Sequence, residues 1–138
     1  PGLFEIVAAC DLDPARAAGF AGRHGIERHT SDFSEILAME DVDAISVCTP
    51  PSEHFRMVRA AMEAGKHVIC EKPFTSSLAL MDEVIAAQAG SKARVMPIFQ
   101  YRFAPGFAKA RHLIRSGLAG KLYTSSVETA WKRGPDYY

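Results

Sequence analysis

Residues 65–73 read Gly-Lys-His-Val-Ile-Cys-Glu-Lys-Pro, an apolar run that ends in a charged pair and a proline. The run has the length of a short buried strand, and the loop after it leads into a helix. In open α/β sheets, ligands bind beyond the carboxyl ends of the strands. Lys72 therefore falls where a ligand is expected, and burial at such a position suits a lysine to proton transfer. For the tripeptide alone, an exposed lysine beside an ordinary turn is an equally good interpretation.

Strand and helix patterns alternate on both sides of this run. Apolar runs of strand length are separated by segments with helical periodicity. The predicted strands are Phe4–Cys10, Glu27–Thr30, Ala44–Cys48, His67–Cys70 and Arg94–Gln100, and the predicted helices are Ala15–His24, a helix opening at Asp32, a helix capped by Ser52 and ending at Ala64, and Leu78–Ala89. This alternation predicts an α/β fold with a doubly wound parallel sheet.

The pattern changes near Tyr101. Pro105–Ser116 has the periodicity of one more helix, and Lys121–Lys132 alternates loosely, as a longer strand with two different faces would. We therefore expect a domain boundary near Arg102. Residues 1–102 would form the first domain, and residues 103–138 would begin a second domain of the α+β class.

Composition excludes several classes of function. The chain has 138 residues, 48% of them apolar, and its sixteen basic residues balance sixteen acidic ones. A neutral chain without a long basic run gives no electrostatic reason to expect a nucleic acid partner. No apolar stretch has the length of a membrane span, and the first residues do not resemble a signal peptide.

The cysteines and histidines give no metal pattern. Cys10, Cys48 and Cys70 each end a predicted strand, and the five histidines are scattered. We expect three small buried thiols in a reducing compartment, which indicates a cytoplasmic protein without a metal site.

Other candidate site residues also follow predicted strands. In doubly wound folds that bind a dinucleotide, an acidic residue at the end of the second strand binds the adenosine ribose and repels a 2′-phosphate. Asp11 could have this role, although a turn aspartate is an equally good interpretation. Arg16 could meet a 2′-phosphate instead. Thr49 and Pro50 precede a helix N-terminus, which favours anions, but they could equally form an ordinary turn. For His54, a capping or packing role is at least as good an interpretation as a ligand role.

Four motifs in this order resemble one family. They are Asp-x-Asp-Pro-x-x-Ala at 11–17, Thr-Pro-Pro-x-x-His at 49–54, Gly-Lys-His-Val-x-x-Glu-Lys-Pro at 65–73 and Gln-Tyr-Arg-Phe-x-Pro at 100–105. Together they are similar to the glucose–fructose oxidoreductase, inositol dehydrogenase and rhizopine catabolism family, known as Gfo/Idh/MocA. Each motif is weak alone, whereas the ordered set covers nearly the whole chain.

The resemblance implies a Rossmann-like domain that binds NAD in preference to NADP. It implies that Lys72 belongs to the catalytic residues and that a cis peptide bond precedes Pro73. The cofactor contacts that it implies are Asp11, Thr49, Pro50, His54, Glu71 and Lys72. It also implies that Tyr101, Arg102 and Trp131 lie near the substrate.

Two parts of the family pattern are absent from these 138 residues. The glycine-rich strand–turn–helix that binds the pyrophosphate should precede Phe4, and an Asp…His catalytic pair should follow Tyr138. We therefore expect an internal part of a longer enzyme, which lacks the first βα unit. Because the first strand of this fold lies between the strands predicted at Phe4–Cys10 and Ala44–Cys48, those two should either close up or each keep an unpaired edge.

The expected function is hydride transfer between a nicotinamide cofactor and a sugar, cyclitol or similar polyol. The resemblance implies a small-molecule substrate and a homo-oligomeric whole protein. Two alternatives stay open. One is a nucleotide-binding regulatory module without turnover, and the other is a chain that is inactive on its own.

Overall fold

The computed structural model of the chain describes residues 3–132 and 134–135. It contains five short strands, which alternate with helices and so confirm the predicted α/β class. The strands are β1 Ala8–Cys10, β2 Arg28–Thr30, β3 Ala44–Val47, β4 His67–Cys70 and β5 Val95–Pro97. The helices are α1 Pro14–His24, α2 Phe33–Ala38, α3 Pro51–Glu63, α4 Leu78–Ala89 and α5 Pro105–Arg115, with a 3₁₀-helix at Gln100–Phe103. Two compact units cover Pro1–Phe99 and Gln100–Tyr138.

The ends of α1 follow the sequence prediction. The Asp13 carboxylate accepts hydrogen bonds from the backbone N–H groups of Ala15 and Arg16, and these bonds hold the pKa of Asp13 below its usual value. Gly25 ends the helix with φ of 66°, a left-handed conformation that glycine adopts without a steric penalty. The predicted cap at Ser52 is wrong. Pro50 is the N-cap of α3 and makes no side-chain cap bond, because its ring carries no hydrogen-bonding group. Pro51 at the next position starts the helix.

All strand pairs in the first unit are parallel, but they form two separate sheets. One sheet pairs β1 with β2, and the other has the order β3-β4-β5. Within the described residues, no ladder joins β1 to β3. The sequence left two arrangements open, in which these two strands either close up or each keep an unpaired edge. The structure has the second arrangement, with unpaired edges on β1 and β3 among the described residues. The strands are also shorter than predicted, since Phe4–Val7 and Ile98–Gln100 lie outside the ladders.

One hydrophobic core holds the β3–β4–β5 sheet against its helices. α3 packs on β3 and β4 and contacts α4. The buried side chains of this core are Ile36, Val42, Ile45, Val47, Val58, Ala61, Met62, Val68, Cys70, Phe74, Val84 and Ala93. The apolar run Ala44–Cys48 predicts a buried strand, but only Ile45 and Val47 are buried, and Ala44, Ser46 and Cys48 are exposed. The spacing in α4 predicts an inner face of Leu78, Met81, Val84 and Ile85. This is wrong for Leu78 and Ile85, which are 84% and 61% exposed.

The three cysteines differ in their surroundings. Cys70 is fully buried, whereas Cys10 and Cys48 are exposed, so the prediction of three buried thiols is wrong for two of them. The reason is the alternation of side chains along a strand, which turns Cys48 to the face opposite the buried Val47. Burial, with smaller contributions from the neighbouring Cys48 and Glu71, raises the pKa of the Cys70 thiol to about 11.

We expect Cys70 to resist alkylation in the folded whole protein. The thiolate is the reactive form, and a thiol with a pKa of about 11 is almost fully protonated at about pH 8. Mass spectrometry after brief iodoacetamide treatment should find Cys48 modified and Cys70 unmodified until denaturant is added. Equal labelling of the two residues would show that Cys70 is not buried as described.

The second unit differs from its sequence prediction. α5 ends at Arg115, one residue before the predicted end, but Lys121–Lys132 contains no strand. The prediction of a strand there is wrong, because a strand needs a neighbour to bond with its backbone, and the described residues provide none there. No helix among the described residues is long and apolar enough to cross a membrane.

Candidate functional site

The carboxyl ends of β3 and β4 bring two predicted loops together. The strands are parallel, with Val47 opposite Cys70, so Thr49 and Pro50 leave the sheet at the same edge as Glu71 and Lys72. The Glu71 backbone N–H donates to the Val47 carbonyl at 2.9 Å, which extends the pairing beyond the last residue of β4. The structure therefore brings these four candidate site residues to one edge of the sheet.

Lys72 lies in the open at this edge. Its backbone N–H donates to Oε2 of Glu71 at 3.1 Å, and its peptide bond to Pro73 is cis, as the resemblance implied. The side chain is exposed, so the burial expected from the sequence is not found. Among the described residues, no hydrogen bond or ion pair engages the Lys72 ammonium group. It is thus available to a ligand at the strand ends.

His54 lies behind the two loops. Its side chain is 1% exposed, and it is the one buried polar or charged side chain among the described residues. Nδ1 lies 2.8 Å from the carbonyl oxygen of Pro73, and Nε2 lies 2.8 Å from that of Thr49. The predicted direct contact between His54 and a cofactor stays a prediction, and the burial of the ring favours an indirect role.

Thr49 and Pro50 form the surface in front of α3. The Thr49 hydroxyl is half-buried and contacts Sδ of Met57 at 3.4 Å, and Pro50 is exposed. Since no side chain caps α3, the first turn of this helix keeps the partial positive charge that favours an anion.

Asp11 follows β1 and lies in a small charged cluster. Its Oδ1 accepts the Asp13 backbone N–H at 2.9 Å and lies 3.7 Å from Nε of Arg16. Arg16 also contacts Oδ2 of Asp13 at 3.4 Å. No hydrogen bond is recorded to Oδ2 of Asp11 within residues 3–132 and 134–135. One oxygen is therefore fixed by the turn, and the other can accept from a diol.

The residues predicted to lie near a substrate fall in the second unit. The rings of Tyr101 and Trp131 have centroids 6.0 Å apart at an interplanar angle of 45°, so the structure places these two together. The backbone carbonyl of Arg102 accepts a bond from the guanidinium of Arg111 at 2.8 Å. Contact of these residues with a substrate stays a prediction. In the described part of the chain, no group of three His, Cys, Asp or Glu side chains could hold a metal ion.

Comparison with known proteins identifies what this arrangement is similar to. Residues 1–99 match the family model GFO_IDH_MocA, described as an oxidoreductase family with an NAD-binding Rossmann fold. Inositol 2-dehydrogenase from Rhizobium meliloti is 34% identical over 118 residues, which are 86% of this chain and 35% of that protein. A scyllo-inositol 2-dehydrogenase (NADP⁺) from Bacillus subtilis is 30% identical over 123 residues, which are 88% of this chain and 38% of that protein.

The fold of this chain is also similar to that of a solved structure. Levoglucosan dehydrogenase in complex with NADH and levoglucosan superposes with a TM-score of 0.78 at 33% identity. The match covers 83% of this chain and 31% of that structure. The chain thus spans about a third of the length of the proteins that it matches.

Proposed function

Since the chain belongs to the Gfo/Idh/MocA family of oxidoreductases with an NAD-binding Rossmann fold, we propose that the whole protein is an NAD-dependent dehydrogenase of a sugar, cyclitol or similar polyol. The observation that carries the proposal is the Lys72 ammonium group, which no described residue engages, at the carboxyl end of β4 beside the loop that follows β3. The names of the relatives support the substrate class, because they include inositol and levoglucosan dehydrogenases.

The residues present fit a dinucleotide. Asp11 offers an oxygen without a recorded partner to the adenosine ribose, and the uncapped start of α3 behind Thr49 and Pro50 offers partial positive charge. Glu71 and Lys72 would lie at the nicotinamide end. A nicotinamide bound there supplies the redox chemistry, and the protein supplies position and electrostatics.

Lys72 would act on the hydroxyl group of the substrate. An ammonium group that donates to the substrate oxygen stabilises the negative charge that develops on it as its proton leaves. The bond from the Lys72 N–H to Glu71 fixes the backbone at the point where the side chain begins. The chain therefore contributes an orienting and polarising group to the reaction.

We propose NAD in preference to NADP because of the charge at Asp11. A carboxylate beside the ribose repels a 2′-phosphate. Arg16, which could attract that phosphate, lies close to the carboxylates of Asp11 and Asp13. One relative uses NADP⁺ by name, so the cofactor preference has to be measured for this protein itself.

The second unit supports a further part of the proposal. Phe107, Leu113 and Ile114 of α5 are 48%, 38% and 51% exposed. Apolar side chains in such numbers on one helix need to be covered by other structure. We propose that residues 103–138 begin an α+β domain, and that the whole protein is a cytoplasmic homo-oligomer.

Light scattering on the whole protein measures the oligomeric state. A monomer would contradict the proposed homo-oligomer.

The alternative is a regulatory module that binds the nucleotide without turnover. The exposed position of Lys72 favours the enzyme, because a sensor has no need for a free ammonium group at the nicotinamide end. The two functions differ in what they do with a bound cofactor, so one assay separates them.

The assay uses the purified whole protein with NAD or NADP and a panel of inositols, aldoses and anhydrosugars. We expect absorbance of the reduced nicotinamide to rise with at least one polyol and NAD. Tight binding of NAD without reduction by any polyol of the panel would favour the regulatory module. Absence of both binding and reduction would refute the proposed function.

A further inference from the structure

The loops after β3 and β4 are joined by one buried side chain. The His54 ring lies between the carbonyl oxygen of Thr49, five residues before it, and that of Pro73, nineteen residues after it, at 2.8 Å from each. Thr49 belongs to the proposed dinucleotide surface, and Pro73 follows Lys72 directly. The ring thus connects the two loops that the proposed function needs to hold in register.

The two contacts hold the ring from both sides. Carbonyl oxygens only accept hydrogen bonds, so a ring N–H donates either from Nδ1 to Pro73 or from Nε2 to Thr49, according to the tautomer. The other nitrogen packs against the second carbonyl oxygen. Because the ring is 1% exposed, water does not compete for these contacts.

We propose that His54, held between the carbonyl oxygens of Thr49 and Pro73, is a positioning residue that fixes the Lys72 loop relative to the Thr49 loop. This rests on the proposed function only for its effect on catalysis, because the coupling of the two loops follows from the hydrogen bonds themselves. His54 touches neither cofactor nor substrate in this role. It acts through the backbone of Pro73, to which Lys72 is bonded.

The main test compares His54→Phe and His54→Gln in the whole protein. Phenylalanine keeps a ring of similar size without a donor, and glutamine keeps a donor for one of the two carbonyls. We expect kcat to fall about 10-fold to 100-fold for His54→Phe, since a displacement of about 1 Å in a catalytic group costs up to that much. His54→Gln should recover part of the loss. Wild-type kcat in folded His54→Phe would overturn the proposal.

His67→Phe is the matched control. Nδ1 of His67 accepts the backbone N–H of Arg94 at 2.9 Å, but this histidine begins β4 and lies at the opposite end of the strand. The control therefore loses a histidine–backbone bond of the same unit without touching the two loops. A fall in kcat that matches that of His54→Phe would mean that a general loss of stability is responsible, and it would overturn the proposal.

One readout does not depend on activity. Amide hydrogen exchange should become faster in peptides from both loops, residues 48–54 and 70–78, in His54→Phe and in neither for His67→Phe. Unchanged exchange in either loop would overturn the coupling. A wild-type protein without dehydrogenase activity would refute the proposed function and leave this readout intact.

Discussion

Under the proposed function, replacing Lys72 by alanine is expected to lower the kcat of the whole protein by about 10²-fold or more, the usual effect of losing a positioned proton-handling group. The affinity for the dinucleotide should change much less, because Asp11 and the Thr49 loop remain. Lys72 is exposed and its side chain makes no recorded bond in the described residues, so its removal should not destabilise the fold. Steady-state kinetics and a dinucleotide titration measure the two effects separately.

Two further variants define what the Lys72 side chain contributes. Lys72→Met keeps the length of the side chain without its charge and should be as impaired as Lys72→Ala. Lys92→Ala removes another exposed lysine of the same unit, from the turn before β5, and should keep wild-type kinetics. If Lys72→Ala retained the wild-type kcat/KM, the lysine would have no catalytic part and the proposed mechanism would be wrong.

Replacing Asp11 by serine is expected to narrow the preference for NAD over NADP by roughly tenfold, which corresponds to about 1.4 kcal/mol. The loss of the carboxylate removes the repulsion of a 2′-phosphate, and it releases Arg16 from one of its two acidic neighbours. Most of the change should appear as a lower KM for NADP. The ratio of kcat/KM for the two cofactors is the quantity to measure.

The neighbouring residues provide the controls for Asp11. Asp13→Ser removes a carboxylate from the same turn while serine still caps α1, so it should affect the cofactor ratio less than Asp11→Ser. Adding Arg16→Ala to Asp11→Ser should reverse the gain for NADP if the released guanidinium meets the 2′-phosphate. Wild-type enzyme that used NADP as efficiently as NAD would refute the role of Asp11.

Local signals in the sequence predicted much of the first unit. Asp13 followed by Pro14 located the start of α1, and Gly25 located its end, because these residues act on the backbone next to them. The helical spacing of Phe55, Val58, Ala61 and Met62 predicts an apolar face of α3. Val58, Ala61 and Met62 are buried there, and Phe55 is partly buried. Helix caps and helical periodicity depend on residues a few positions apart, so they can be predicted from the sequence alone.

Features that depend on distant partners were predicted less well. The alternation in Lys121–Lys132 has the period of a strand, yet pairing requires another strand that the pattern itself does not specify. The link from His54 to Pro73 joins residues nineteen positions apart, and no spacing rule connects them. One signal in the sequence could have indicated this link. His54 is a polar residue at a position of α3 whose helical spacing places it on the buried face, four residues after Pro50.

The order of β3, β4 and β5 also bears on how the chain acquires its structure. Each pair in this sheet joins strands that follow one another in the chain with a single helix between them. Pairing of this kind closes loops that contain one helix each, which costs less entropy than joining distant segments. No ladder within the described residues ties β1 or β2 to this sheet. The core of the sheet also contains Ile36 and Val42, which precede β3. We therefore expect residues 36–97 to unfold as one cooperative unit.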